Sequence, residues 1–252
     1  MYYKIEGSNV RLAGSMHFVP AGAMVPQWIM DAYQWSEDVF IEANKDDLRT
    51  DGFLPLGQSS ETRVPPHLWK KIEARWPANL PLGAPGPQKL WLIAMVLGLA
   101  GVSLSRGVEH AITERLMADA RPIRYLESVG EFARLMDAVP DADYAEAFSL
   151  ILDSSVDLRS QNIAKTYTAW IGGQPDVVAA VMRASPMSRF PAVQKAVFDA
   201  RNAMWLPRIV NLLDSPKRTV IFVGAGHLGG SAGLLALFSR AGYGATLLLN
   251  GC

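Results

Sequence analysis

The sequence predicts an α/β fold whose mixed central sheet is built from both chain ends, with a large helical insertion between them. Three observations carry this. Short runs rich in β-branched and aromatic residues lie near both termini, at Val10 to Ala13 and Asp38 to Ala43, and at Thr219 to Val223 and Ala245 to Leu249. The stretch from Val129 to about Leu213 carries helical spacing almost throughout, as in Phe148, Ile151, Leu152 and Val156. The pattern G-x-x-H occurs twice, as Gly14-Ser15-Met16-His17 and Gly224-Ala225-Gly226-His227, each time just after a strand.

The elements follow in order. Tyr2 to Glu6 and Val10 to Ala13 flank Gly7-Ser8-Asn9 and read as a hairpin. Gly14 and Gly224 are expected to let the backbone turn sharply at the strand ends. Pro26 to Glu37 has a helix start signal, and the next strand ends at Glu42. A βαβ crossover makes those strands parallel, so His17 and Glu42 fall on one edge. Asp51 to Pro66 reads as loop, with His67 beside it, and Leu68 to Trp76 as a short helix. Pro77 to Pro87 holds four prolines in eleven residues and reads as a linker or lid.

Leu90 to Val102 is an apolar run of thirteen residues, shorter than the ~20 that span a bilayer. It reads as a buried helix; it is compatible with a homodimer interface and also with membrane contact, which is not predicted. A helix opens at Gly107-Val108-Glu109-His110 and reaches about Ala118. Pro122 to Leu126 reads as a strand ending at Glu127. The helical middle breaks near Pro140, Gly172 to Pro175 and Pro186. The whole chain, 1–252, reads as one domain with the insertion at roughly 51–213.

Composition excludes several classes. Lys+Arg and Asp+Glu are both 24, so no net charge argues for nucleic acid. The lone cysteine, Cys252, rules out an internal disulfide or a C-x-x-C metal site. Gly224-x-Gly226-x-x-Gly229 matches the dinucleotide fingerprint, but the next strand ends in Asn250 rather than an acidic residue. No apolar h-region follows the first residues, so the chain as written reads as cytoplasmic; a removed export signal would make it periplasmic or membrane-associated.

The chemistry concentrates at strand ends. Two imidazoles and a carboxylate, His17, His227 and Glu42, suit a divalent metal such as zinc, manganese or cobalt. Arg201-Asn202, on a long helix from Ala192, suit a substrate carboxylate or an oxyanion. Glu109, His110 and Glu114 form a second candidate group, which a solvated helix face explains equally well.

These residues, in this order, resemble the TraB/GumN family, which includes the Tiki metalloproteases and is similar in fold to the erythromycin esterases and ChaN-like proteins. The resemblance rests on Gly14 to His17, Glu42, Gly107 to His110, Leu126-Glu127-Ser128, Arg201-Asn202 and Gly224 to Gly233. The family usually carries aspartate at the position of Glu109, and a glutamine shortly after that of Glu127 which has no counterpart here. The resemblance implies a metal-dependent hydrolase, foremost a peptidase acting on a peptide or small-molecule substrate. His17, Glu42 and His227 would then be the metal residues, with Glu42 as ligand or general base and Glu109, Arg201 and Asn202 in the same cleft. Two alternatives follow from the same resemblance. One is a metal-independent esterase with His17 as base and Glu42 orienting it. The other is a non-enzymatic haem- or metal-binding module.

Overall fold

The computed structural model describes residues 1–44, 48–78 and 80–248. The first third of the chain forms β1 (Tyr2–Ile5), β2 (Val10–Ser15), β3 (Phe18–Pro20), α1 (Gln27–Trp35), β4 (Asp38–Ile41), α2 (Leu48–Asp51) and α3 (Pro66–Arg75). The middle forms α4 (Leu90–Leu99), β5 (Leu104–Arg106), α5 (Val108–Ala118), β6 (Arg124–Tyr125), α6 (Val129–Asp137), α7 (Asp141–Asp153) and α8 (Val156–Ile171). The last part forms α9 (Pro175–Arg183), α10 (Pro191–Gln194), α11 (Ala200–Leu213), β7 (Thr219–Gly224), α12 (Leu234–Arg240) and β8 (Ala245–Leu247). Leu249, Asn250 and Cys252 lie outside the described residues.

The fold is α/β, around a six-stranded mixed sheet in the order β6-β4-β7-β2-β1-β8. β7 from the carboxyl-terminal part runs parallel between β2 and β4 from the amino-terminal part. Both chain ends thus build the sheet centre. The β1–β2 hairpin is antiparallel, and β8 covers the far side of β1. β7 is buried on both faces, which accounts for its continuous apolar sequence Val220-Ile221-Phe222-Val223.

Two apolar cores result. One lies on the sheet and takes in Trp28, Ile112, Trp170, Trp205 and Phe238. The other joins α3, α4, α6, α7 and α10. α4 contributes Leu90 to Ala94 and Leu97 to the second core, so the apolar run is core. Among the described residues, no helix is long and apolar enough to cross a membrane.

Several boundaries differ from the sequence reading. The two glycines do not turn the chain. Gly14 lies inside β2 opposite Val223, and Gly224 ends β7 opposite Ser15. Neither adopts the left-handed conformation. They serve close approach instead. A Cβ on Gly14 would stand 3.0 Å from the Leu228 side chain, and one on Gly224 would stand 2.9 Å from Oε1 of Glu42. β3 and β5 form a separate two-stranded sheet that the sequence did not signal. The 51–66 stretch carries a helical turn at Ser60–Arg63, and His67 lies exposed in the first turn of α3. The helical middle also breaks at Ser154-Ser155, where Ser155 caps α8 through the Leu158 N–H. The proline-rich stretch hydrogen-bonds Leu54, Ser60, Trp76 and Gln88, away from the strand ends discussed next.

Candidate active site

The parallel strands β2, β7, β4 and β6 end on the same edge, where ligands of α/β sheets commonly bind. His17 follows β2, Glu42 follows β4, and His227 closes a helical turn, Ala225–His227, after β7. Glu127 follows β6; its N–H donates to the Glu42 carbonyl at 2.9 Å, so the two carboxylates stand at neighbouring strand ends. Arg201 and Asn202 lie in the first turn of α11. A π-helical turn, Lys195–Asp199, precedes them, and its widened backbone presents Phe198 to the His227 ring and the Val197 carbonyl to Arg201.

The two histidines are mounted alike. His17 Nδ1 lies 2.8 Å from Oε1 of Glu109, which also accepts the Ser15 hydroxyl. His227 Nδ1 lies 2.7 Å from Oδ1 of Asn202. The Asn202 amide donates to the carbonyls of His227 and Ala232, so its oxygen is left to accept and His227 Nδ1 carries the proton. Each ring turns Nε2 to a different oxygen of Glu42. His17 Nε2 lies 3.9 Å from Oε2, and His227 Nε2 lies 3.9 Å from Oε1. The His17 side chain is 41% exposed, whereas Glu42 and His227 are buried. His17 is therefore the residue of this group that meets solvent.

Arg201 sits beneath them as counter-ion. Its five hydrogen bonds reach Glu127 twice, Glu42 at 2.9 Å, the Val197 carbonyl at 3.2 Å and His227 Nε2 at 3.1 Å. Its guanidinium stacks over Trp205, whose indole N–H donates to the other oxygen of Glu127. The Gly224 N–H donates to Oε1 of Glu42.

Electrostatics follow from this packing. Burial pushes the Glu42 carboxyl up, but the Arg201 guanidinium foremost, with the Gly224 N–H, outweighs burial and holds it well below the usual range. Burial raises Glu127, and Arg201 only partly offsets it. Desolvation, then the Arg201 charge, lowers His227 to about 3, so its ring is neutral at physiological pH.

The sequence-predicted residues divide. His17, Glu42, His227, Arg201, Asn202 and Glu109 converge on one hydrogen-bonded cluster at the sheet edge. His110 and Glu114 do not; they form an exposed pair at 3.0 Å on the surface of α5. Glu109 leaves that surface because Gly107 packs against the segment before β3. The Gly107 N–H donates to the His17 carbonyl, and a Cβ there would sit on the Met16 carbonyl oxygen. Arg201 spends all its N–H groups, and Asn202 both of its amide hydrogens, on residues of the protein. Their visible work is to hold Glu42, Glu127 and His227. Glu127 has the strand-end signal that marked Glu42, and Ser15 carries no signal beyond its place inside G-x-x-H.

Among the described residues, no three or more His, Cys, Asp or Glu side chains are placed so that they could hold a metal ion. The donor types of His17, His227 and Glu42 are those that divalent metals take. Metal-binding histidines commonly anchor their second nitrogen on a carboxylate or carbonyl oxygen, as Glu109 and Asn202 do here. Both Nε2 atoms flank one carboxylate. The group in competition is Arg201, whose Nη1 faces the His227 lone pair.

Comparison with curated proteins and with solved structures gave no match. The model of the TraB/PrgY/gumN family matches residues 2–246, from the first strand to the last and across every residue of the cleft. The chain belongs to the TraB/PrgY/gumN family.

Proposed function

We propose that the chain is a hydrolase of peptide or other amide bonds, acting at the His17–Glu42–His227 cleft with a divalent metal. One observation carries this reading: two imidazoles, each anchored through Nδ1, turn Nε2 to opposite oxygens of one ionised carboxylate at 3.9 Å. His17 and His227 through Nε2, and Glu42 through its carboxylate, would hold the metal. When bound, a divalent metal supplies Lewis acidity and a reactive water at neutral pH.

The chain's own residues supply the rest. Glu109 fixes the His17 ring and turns its Nε2 to the cleft. Glu42 stays ionised, the form in which a carboxylate serves as a metal ligand. Arg201 neutralises Glu42 and Glu127 and keeps their geometry. Asn202 keeps His227 in the tautomer whose lone pair is on Nε2. The fit requires Arg201 Nη1 to leave that lone pair. The test is turnover of a quenched peptide library with and without zinc, manganese or cobalt, in the wild type and in His17→Ala and His227→Ala. Metal-dependent cleavage lost in both variants supports the reading, and full activity in both would sink it.

A second reading has its own observation. His17 and Glu109 form a base and its orienting carboxylate without a metal, and Arg201 already occupies His227. Cleavage that survives chelation and His227→Ala, yet is lost in His17→Ala, would select it. The orienting carboxylate is then Glu109, not Glu42.

A further inference from the structure

β3 and β5 form a short ribbon directly after His17. Phe18 pairs with Arg106, Val19 with Ser105 and Pro20 with Leu104. The Gly107 N–H donates to the His17 carbonyl, and the Ala21 N–H donates to the Ser103 carbonyl. Bonded and non-bonded positions alternate along an antiparallel pair. The bonded pair between those two is therefore Val19 with Ser105. The backbone N–H and C=O groups of Leu104 and Arg106 consequently point to the other edge of β5.

Among the described residues, no second strand pairs with β5 on that edge, and α8 packs against β3. Among the described residues, Leu104 and Arg106 make no backbone hydrogen bond on that side. The four groups have the spacing and alternation that another extended backbone satisfies. The edge lies on the side of β5 away from β3, and Gly107, the residue after β5, is bonded to His17 on the β3 side. On the ribbon's outer face, Phe18 is 44% exposed and Arg106 is exposed opposite it.

We propose that the free edge of β5 binds an extended peptide as a third strand of the ribbon that follows His17. The proposal rests on the hydrolase reading and names its substrate as a peptide in β conformation. Arg106 favours an acidic residue opposite it, and Leu104 an apolar residue two positions away on the same face. A second copy of the chain is the weaker fit. An edge of three residues carrying an exposed arginine is too short and too charged to favour self-pairing.

The test uses the full chain carrying His17→Ala, so binding is read without turnover. The probe is the capped peptide acetyl-Thr-Glu-Thr-Leu-Thr-amide. Its partners are one analogue N-methylated at the Glu and Leu amides and one with Lys in place of Glu. Saturable binding should slow exchange of the Leu104 and Arg106 amides and leave that of Ser105 unchanged. N-methylation removes two hydrogen bonds and should weaken binding about tenfold or more. Leu104→Pro, which removes an outward N–H without touching the bonds to β3, should weaken it similarly. Lys in place of Glu should also weaken it.

Absence of saturable binding at millimolar peptide, or equal binding of the N-methylated analogue, overturns the proposal. So does protection of the same amides that grows with protein concentration alone, which would assign the edge to a second copy. A protein that binds the probe but cleaves no peptide keeps this proposal and loses the hydrolase reading.

Discussion

Nδ1 of His17 lies 2.8 Å from Oε1 of Glu109, and this contact decides which ring nitrogen faces the cleft. Glu109 is buried in the first turn of α5, and α5 starts where Gly107 packs on the Met16–His17 backbone. A residue far along the sequence thus mounts the exposed histidine through one glycine.

Removing the Glu109 carboxylate should therefore loosen the ring without removing it. Glu109→Gln is expected to cost about 10- to 100-fold in metal affinity or turnover, the usual effect of losing an outer partner of a metal-bound histidine. Glu109→Asp keeps the carboxylate but shortens the reach by a methylene, and should retain more function. Isothermal titration with zinc or manganese, beside turnover, checks both. Unchanged affinity and turnover in Glu109→Gln would show that the contact is idle.

Gly107→Ala should act on fold and site together. The added methyl falls on backbone, which cannot swing aside. A destabilisation of about 1–3 kcal/mol is expected, read as a melting temperature lower by several degrees. Amide shifts near His17 and Phe18 should move with it. A variant with the wild-type melting curve would place less constraint on this approach than the packing implies.

Arg201 is shared by two buried carboxylates. Arg201→Met leaves both without a counter-ion and should cost about 3–5 kcal/mol. Replacing Glu127 with Gln in that background removes one orphaned charge. The double variant should therefore be more stable than the two single losses predict, by about 0.5–3 kcal/mol. Urea denaturation of the four proteins closes the cycle, and strict additivity would contradict a shared counter-ion.

Acid stability should show one separable contribution. The Glu131 side chain accepts from Arg208 and from the Ser128 N–H in a capping box, and these bonds, Arg208 first, hold its carboxyl down to about 2. Its folded value lies below the unfolded one of ~4.3. The stabilisation is therefore present above about 4.3 and is lost as pH falls through about 2. Glu131→Gln should lower the melting temperature near neutrality and narrow the gap to wild type between pH 5 and pH 2. A gap constant over that range would remove Glu131 from the acid response.

The sheet and the strand-end histidines were legible because buried parallel strands are continuous apolar runs and G-x-x-H followed two of them. Glu42 was legible for the same reason, as a carboxylate ending such a run. The role of Glu109 was not, because its neighbours His110 and Glu114 do lie on a solvated helix face, and only the packing of Gly107 separates Glu109 from them. Strands of three residues such as β3 and β5 are too short to show alternation. The glycines were read as turns at strand ends, whereas Gly14 lies inside β2 and what both admit is a neighbouring side chain. Arg201 was legible as a polar residue of the cleft, whereas its engagement with Glu42, Glu127 and His227 depends on the π-helical turn before α11, which has no sequence signature.

The most direct measurement is the metal content of the purified protein by elemental mass spectrometry, wild type beside His17→Ala and His227→Ala. The expected result is about one zinc, manganese or cobalt ion per chain in the wild type, lost in both variants while their circular dichroism stays unchanged. No bound metal after reconstitution with each ion in turn would contradict a metal shared by His17, Glu42 and His227. It would leave His17 and Glu109 as a base and its orienting carboxylate, with Arg201 as the permanent partner of His227.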